Sequence, residues 1–248
     1  MIYFIGAGPG APDLITLRGM RLLQKASLVI YAGSLVNPEL LDACPADCVK
    51  MNSASMTLEE VMAAFRAADP NQVAVRLHTG DPSIYGAIRE QMDRLDALGL
   101  KYEVVPGVSS MNAAAACLHA EYTLPGVSQT VIVSRRAGRT AVPERESIRS
   151  LAAHQASMAL FLSAGMLKEL RDELIAGGYS PDTPAAVVYK ATWPDEEIIR
   201  GTLATLPEQA AHIGRTALVL VGHFLQGPHE RSRLYDPGFS HLFREAKK

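Results

Sequence analysis

Four short runs rich in β-branched and apolar residues, at residues 2–5, 28–31, 73–79 and 102–105, alternate with stretches whose apolar residues recur at helical spacing, at 16–26, 57–68 and 85–98. Strict alternation predicts a parallel sheet covered by helices, because consecutive parallel strands need a crossover that a helix supplies. Thr57 and Glu60 stand at capping-box spacing at the start of the 57–68 helix. An alanine-rich helix follows Ser109 and ends near Leu118, and the turn-prone Tyr122-Thr123-Leu124-Pro125-Gly126 then marks a boundary. Beyond it, strands are read at 130–134, 157–163, 185–189, 198–202 and 216–222, and the pair flanking residues 195–197 reads as a hairpin. The expected architecture is α/β in two domains: residues 1–120 with a mainly parallel sheet and residues 127–226 with a mixed sheet. A Pro-, Gly- and charge-rich extension follows at 227–248.

Hydrophobic residues at 48% and charged residues at 20% allow two packed cores and leave little room for a long disordered arm. No apolar run reaches bilayer length, and no basic segment precedes the first strand, so a cytoplasmic location away from membranes is expected. Cys44, Cys48 and Cys117 are odd in number, and the four-residue step from Cys44 to Cys48 suits neither a disulfide scaffold nor a four-ligand zinc site; plain buried or half-buried thiols and no metal site are expected. His78 and His119 have no partners at metal-ligand spacing and are read as structural. A net charge of −2 argues against nucleic acid as a partner, and any anionic ligand must be met by a local cluster of positive charge.

Gly6-Ala7-Gly8-Pro9-Gly10-Ala11 follows the first strand and nominally satisfies a dinucleotide fingerprint. Two details oppose a nucleotide. Pro9 and Pro12 lack the N–H groups that a pyrophosphate needs, and the second strand ends in Tyr31-Ala32-Gly33-Ser34 without an acidic ribose ligand. What remains is a tight turn whose glycines supply unusual dihedrals, or close approach of a bulky ligand without phosphates. A nucleotide-binding dehydrogenase stays as the alternative from a different class, and a binding-only module is also open.

The glycine loop is joined by Gly80-Asp81-Pro82-Ser83-Ile84-Tyr85-Gly86 and by Val105-Pro106-Gly107-Val108-Ser109-Ser110. Together the three ordered motifs resemble the tetrapyrrole methylases, from residue 1 to about residue 222. That resemblance implies two α/β domains of the tetrapyrrole methylase type, S-adenosyl-L-methionine bound in the interdomain cleft, S-adenosyl-L-homocysteine as product, and a homodimer. Within the family, Tyr31-Ala32-Gly33-Ser34-Leu35-Val36-Asn37 and Thr79 to Gly86 are most similar to the members that methylate precorrin-4 at C11 in corrin biosynthesis, or its cobalt form. Other precorrin positions, a protein side chain or RNA remain as alternative acceptors.

By the same resemblance, Pro9, Gly80, Asp81, Ile84, Tyr85, Ser109, Ser110, Leu162, Ser163, Ala191, Thr216 and Ala217 hold the cofactor, largely through main-chain groups, and Gly8 and Gly10 face the substrate. Asp81 and Ser109 are also read as helix N-caps, Asp81 with Pro82 at the first helical position. Gly80 is expected where the cofactor approaches too closely for a β-carbon. Arg135 and Arg136, with Arg139, put three guanidiniums on one loop, suited either to the substrate's carboxylates or to plain solvation. The catalytic base is unassigned: relatives carry an acidic residue just after Gly-Pro-Gly, where this chain has Ala11. Asp13 is the nearest substitute, though capping a helix that begins near Leu14 accounts for it as well.

Overall fold

The computed structural model describes residues 1–246. It forms two compact units, Met1–Ala113 with Lys190–Glu196, and Ala114–Tyr189 with the chain from Glu197 on. The last two residues of the expected C-terminal extension lie outside the described residues.

In the first unit, β1 (Ile2–Gly6), β2 (Ala26–Tyr31), β3 (Val49–Asn52), β4 (Val73–His78) and β5 (Tyr102–Val105) form a sheet in the order β3-β2-β4-β1-β5. Every pairing is parallel, as the alternation requires. Side chains alternate between two cores. Ile5, Val29, Val75 and Leu77 meet Leu23 of α1 (Leu17–Leu23) and Leu40 of α2 (Glu39–Asp42) on one face. Phe4, Ile30 and Ala74 meet Val61, Met62 and Phe65 of α3 (Leu58–Ala67) and Leu95 of α4 (Ile88–Ala97) on the other. Each large apolar side chain taken from water contributes about 1.5–3 kcal/mol, so both layers are needed to hold the sheet. The capping box at α3 forms as read: the Glu60 N–H donates to Thr57 Oγ1 at 3.3 Å, and the Thr57 N–H to Glu60 Oε2 at 2.7 Å.

Three local readings need correction. α1 is capped by Thr16, whose hydroxyl accepts from the Gly19 N–H; Asp13 sits exposed in a short turn, Pro12–Leu14, and caps neither. α4 begins at Ile88 and not near residue 85, because Tyr85 and Ala87 hold left-handed φ angles of 55° and 50°. For the same reason Asp81 caps no helix. β3 was not anticipated.

After β5 comes α5 (Ser110–Cys117), with the Ser109 carbonyl accepting from the Ala113 N–H, as at an N-cap. The second sheet joins β6 (Val131–Arg135), β7 (Ser157–Phe161), β8 (Pro184–Tyr189), β9 (Glu197–Thr202) and β10 (Ala217–Val221) in the order β6-β7-β10-β8-β9. β6 and β7 are parallel, whereas β10 runs antiparallel to β7 and β8, and β8 antiparallel to β9, so the sheet is mixed and the expected hairpin is present. Its core sets Met158, Leu160, Val187 and Val219 against Ile148 of α6 (Ile148–Ala152), Leu170 and Leu174 of α7 (Leu167–Ala176), and Leu206 of α8 (Leu206–Gln209). These three helices were not read in the sequence.

Candidate functional site

All five strands of the first sheet end at one edge, and the chain leaves β1 and β4 toward opposite faces, to α1 and α4. This is the topological switch point at which open α/β sheets collect ligands. The two departing loops are tied together there: Gly8 and Gly80 form an antiparallel bridge, with the Gly80 N–H donating to the Gly8 carbonyl at 2.8 Å. Asp81 adds the loop after β5. One of its oxygens accepts from the Gly107 N–H at 2.8 Å and the other from the Ser83 N–H at 2.9 Å and the Ser83 hydroxyl. Partial burial pushes this carboxyl upward, but the Ser83 and Gly107 hydrogen bonds outweigh it and hold its pKa below the usual value.

Three of the glycines, Gly6, Gly80 and Gly107, approach one another closely. A β-carbon on Gly107 would lie 2.2 Å from the Gly80 carbonyl oxygen and 2.7 Å from Gly6 Cα, and one on Gly6 would lie 2.5 Å from that same oxygen. Gly80 itself has room, with its nearest neighbour at 3.5 Å. Its φ of +60° favours glycine on conformational grounds, independently of how closely a cofactor approaches. At Gly10 the bulky neighbour is the Trp193 indole, 2.2 Å from an ideal β-carbon.

Gly8, Pro9 and Gly10 are accordingly buried. The Pro9 carbonyl accepts from Trp193 Nε1 at 2.9 Å, the Gly10 carbonyl from Asn37 Nδ2 at 3.0 Å, and the Ala11 N–H donates to Thr192 Oγ1 at 3.0 Å. Ala191, in the same segment as Thr192 and Trp193, is buried beside Gly10. Ile84 and Ser110 are half-buried, Ser109 is buried, and Tyr85 stands 47% exposed.

Beneath this edge, β4 directs Arg76 and His78 toward the α3–α4 layer. Arg76 is buried and donates to Gln91 Oε1 at 3.1 Å and to the Ile30 carbonyl at 3.2 Å, while Gln91 Nε2 holds the carbonyl of the strained Ala87 at 3.0 Å. Burial lowers the Arg76 pKa to about 10. His78 stacks on Phe4, and burial together with the Arg76 charge pushes its pKa down to about 3. Its Nε2 has no hydrogen-bond partner among the described residues. Cys44 and Cys48 are buried thiols, and burial raises Cys44 to about 11.

In the second sheet, the ends of β6, β7 and β8 and the starts of β9 and β10 share one edge, as the register of Arg135 with Phe161 and of Ala217 with Tyr189 shows. Arg135, Arg136, Leu162, Ser163, Thr216 and Ala217 are brought together there. Ser163 is fully buried and acts within the fold: its hydroxyl accepts from the Arg136 N–H at 2.9 Å and donates to the Phe161 carbonyl at 2.7 Å. Leu162, by contrast, is 68% exposed at φ 52°, and the β-branched Thr216 is held at φ 55°. Left-handed backbone at non-glycine residues costs on the order of 1–3 kcal/mol and gathers at ligand sites. Arg136 pairs with Glu173 at 2.8 Å. Arg135 is held by the Thr140 and Ala141 carbonyls, neutral partners, and has no carboxylate at ion-pair distance among the described residues.

The model of the tetrapyrrole (corrin/porphyrin) methylases matches residues 1–207. The chain belongs to this family. It is 49% identical to the cobalt-precorrin-4 C(11)-methyltransferase of Methanocaldococcus jannaschii, covering 100% of this chain and 97% of that protein. The precorrin-4 C(11)-methyltransferase of Pseudomonas aeruginosa is 47% identical, over 98% of both chains. Among solved structures, the cobalt precorrin-4 methyltransferase CbiF superposes with a TM-score of 0.88 at 46% identity, over 91% of this chain and 96% of that one. The uroporphyrin-III C-methyltransferase of Thermus thermophilus, complexed with S-adenosylhomocysteine, follows at 0.76 and 27%, over 91% and 93%.

In this tetrapyrrole methylase, the sequence reading had missed the side chains that shape the first edge. Trp193, Asn37 and the Arg76–Gln91 pair were not anticipated in these roles. The signal available was that Trp193 is the chain's single tryptophan and sits in a turn beside Pro194.

Proposed function

We propose that the chain transfers a methyl group from S-adenosylmethionine to C11 of precorrin-4, or of its cobalt form, giving the corresponding precorrin-5. The observation that carries this reading is end-to-end similarity at 49% identity to an enzyme of that name. Two features of the strand ends suit the cofactor. Main-chain groups and hydroxyls gather around Gly80–Tyr85, Ser109 and Ser110 on one edge and around Leu162 and Thr216–Ala217 on the other, and exposed apolar side chains, Tyr85 and Leu162, can cover a flat heterocycle. When bound, the cofactor supplies a sulfonium-activated methyl group. The residues bind, orient and exclude water, which is where most of the acceleration of a carbon methylation can come from. Arg135 offers the positive charge that a polycarboxylated substrate needs on a weakly acidic protein.

A cytoplasmic homodimer without nucleic-acid partners completes the reading, in keeping with three free thiols and a net charge of −2. No helix among the described residues is long and apolar enough to cross a membrane. The test is ligand-induced stability: S-adenosylhomocysteine at a hundredfold excess over its Kd raises stability by about 2.7 kcal/mol and NAD does not. A shift with NAD alone overturns the methyltransferase reading in favour of a nucleotide-binding dehydrogenase.

A further inference from the structure

The loop Gly8-Pro9-Gly10-Ala11-Pro12 contains two prolines and therefore lacks two of the N–H groups that could brace it from within. Gly8, at φ +80°, adds conformational freedom. Besides the Gly80 bridge at Gly8 and the Asn37 bond to the Gly10 carbonyl, its bracing comes from a distant segment, Lys190–Glu196. That segment is itself locked: Lys190 pairs with Asp195 at 2.6 Å and lies over the Trp193 ring, the Thr192 N–H donates to Glu196 Oε2 at 2.6 Å, and the Glu196 N–H to the Trp193 carbonyl at 3.1 Å. From this base Trp193 Nε1 donates to the Pro9 carbonyl and Thr192 Oγ1 accepts from the Ala11 N–H, one on each side of Gly10. Thr192 holds φ 70°, a strained angle for a β-branched residue, and that angle belongs to the segment that presents its hydroxyl to Ala11.

We propose that Trp193 and Thr192 are positioning residues that pin the Gly8–Ala11 loop in the shape that receives the tetrapyrrole. The proposal rests on the methyltransferase reading for its substrate, but the pin itself is independent of it. Trp193→Phe keeps an aromatic ring at this position and removes the indole N–H together with part of the ring that lies against Gly10. Thr192→Val keeps the branched shape and removes the hydroxyl.

Two measurements on the full chain decide the matter. Amide hydrogen exchange across residues 6–16 is expected to quicken in both variants while exchange in the second sheet stays unchanged; unaltered exchange at 6–16 overturns the pin whatever the activity. Steady-state kinetics are expected to show KM for the tetrapyrrole raised about fivefold, the equivalent of one ordinary hydrogen bond, and S-adenosylhomocysteine affinity, to which Pro9 and Ala191 are expected to contribute, falling by less than that. Faster exchange with an unchanged KM also overturns the proposal, because the loop would then be held for the fold alone. A wild-type chain that turns over no precorrin contradicts the proposed function instead, and exchange alone then decides whether the pin exists.

Discussion

Gly107→Ala tests the account of the first sheet's edge most sharply. The added β-carbon would lie 2.2 Å from the Gly80 carbonyl oxygen and 2.7 Å from Gly6 Cα. Non-bonded heavy atoms settle at about 3.5–4.0 Å, so the loop must retreat by more than about 1 Å. Neither neighbour can yield by turning a side chain: Gly6 is paired with His78 in the β1–β4 ladder, and Gly80 is bridged to Gly8. Overpacking of this kind costs about 1–3 kcal/mol. The same displacement stretches the bond from the Gly107 N–H to the Asp81 carboxylate, now 2.8 Å, and hydrogen bonds to charged groups contribute about 1.5–3 kcal/mol. The sum is roughly 2.5–6 kcal/mol, a large part of a stability of about 5–15 kcal/mol. Gly214→Ala is the control, since nothing lies within 4 Å of its β-carbon. Urea unfolding should show a much lower midpoint for Gly107→Ala and little change for Gly214→Ala. S-adenosylhomocysteine affinity, read by calorimetry, should fall with the former. A Gly107→Ala protein within about 0.5 kcal/mol of wild type and with unaltered affinity would refute the mutual packing of the three glycines.

Three further variants probe the carboxylate and the arginines. Asp81→Asn leaves one acceptor for N–H groups on both sides and is expected to cost about 1–3 kcal/mol at neutral pH. Because the Asp81 pKa is lowered in the folded chain, its stabilisation is present above the ordinary carboxylate pKa and is lost as pH falls through the folded value; the acid limb of a stability–pH curve should be flatter in the variant. Replacing Arg135 with alanine should raise KM for the tetrapyrrole and leave S-adenosylhomocysteine affinity unchanged, whereas Arg136→Ala breaks the pair with Glu173 and should show first as lower stability in thermal unfolding.

Much of this was legible in the chain because strong local signals agreed with the tertiary context. The alternation of periods foretold the parallel sheet, and the Thr57–Glu60 box placed α3 to the residue. β3 escaped because Val49-Lys50-Met51-Asn52 is an exposed edge strand, which needs ladder hydrogen bonds but no hydrophobic pattern. α7 escaped because Met166 offers no side-chain cap to announce it. The start of α4 was misread by three residues, because Tyr85 and Ala87 hold left-handed φ, which neither residue type signals in the local sequence. The site was legible as motifs but not as contacts. That Gly6, Gly80 and Gly107 meet one another, and that a tryptophan 183 positions after Gly10 fills the space beside it, depends on pairing residues far apart in the chain.

The central claim is tested most directly by incubating the full chain with S-adenosylmethionine and precorrin-4, or its cobalt form, and determining the mass and the methylated carbon of the product. The account predicts one added methyl group, at C11, with stoichiometric S-adenosylhomocysteine. Methylation at another ring position, or no transfer to either macrocycle by a folded protein that binds S-adenosylhomocysteine, would contradict it.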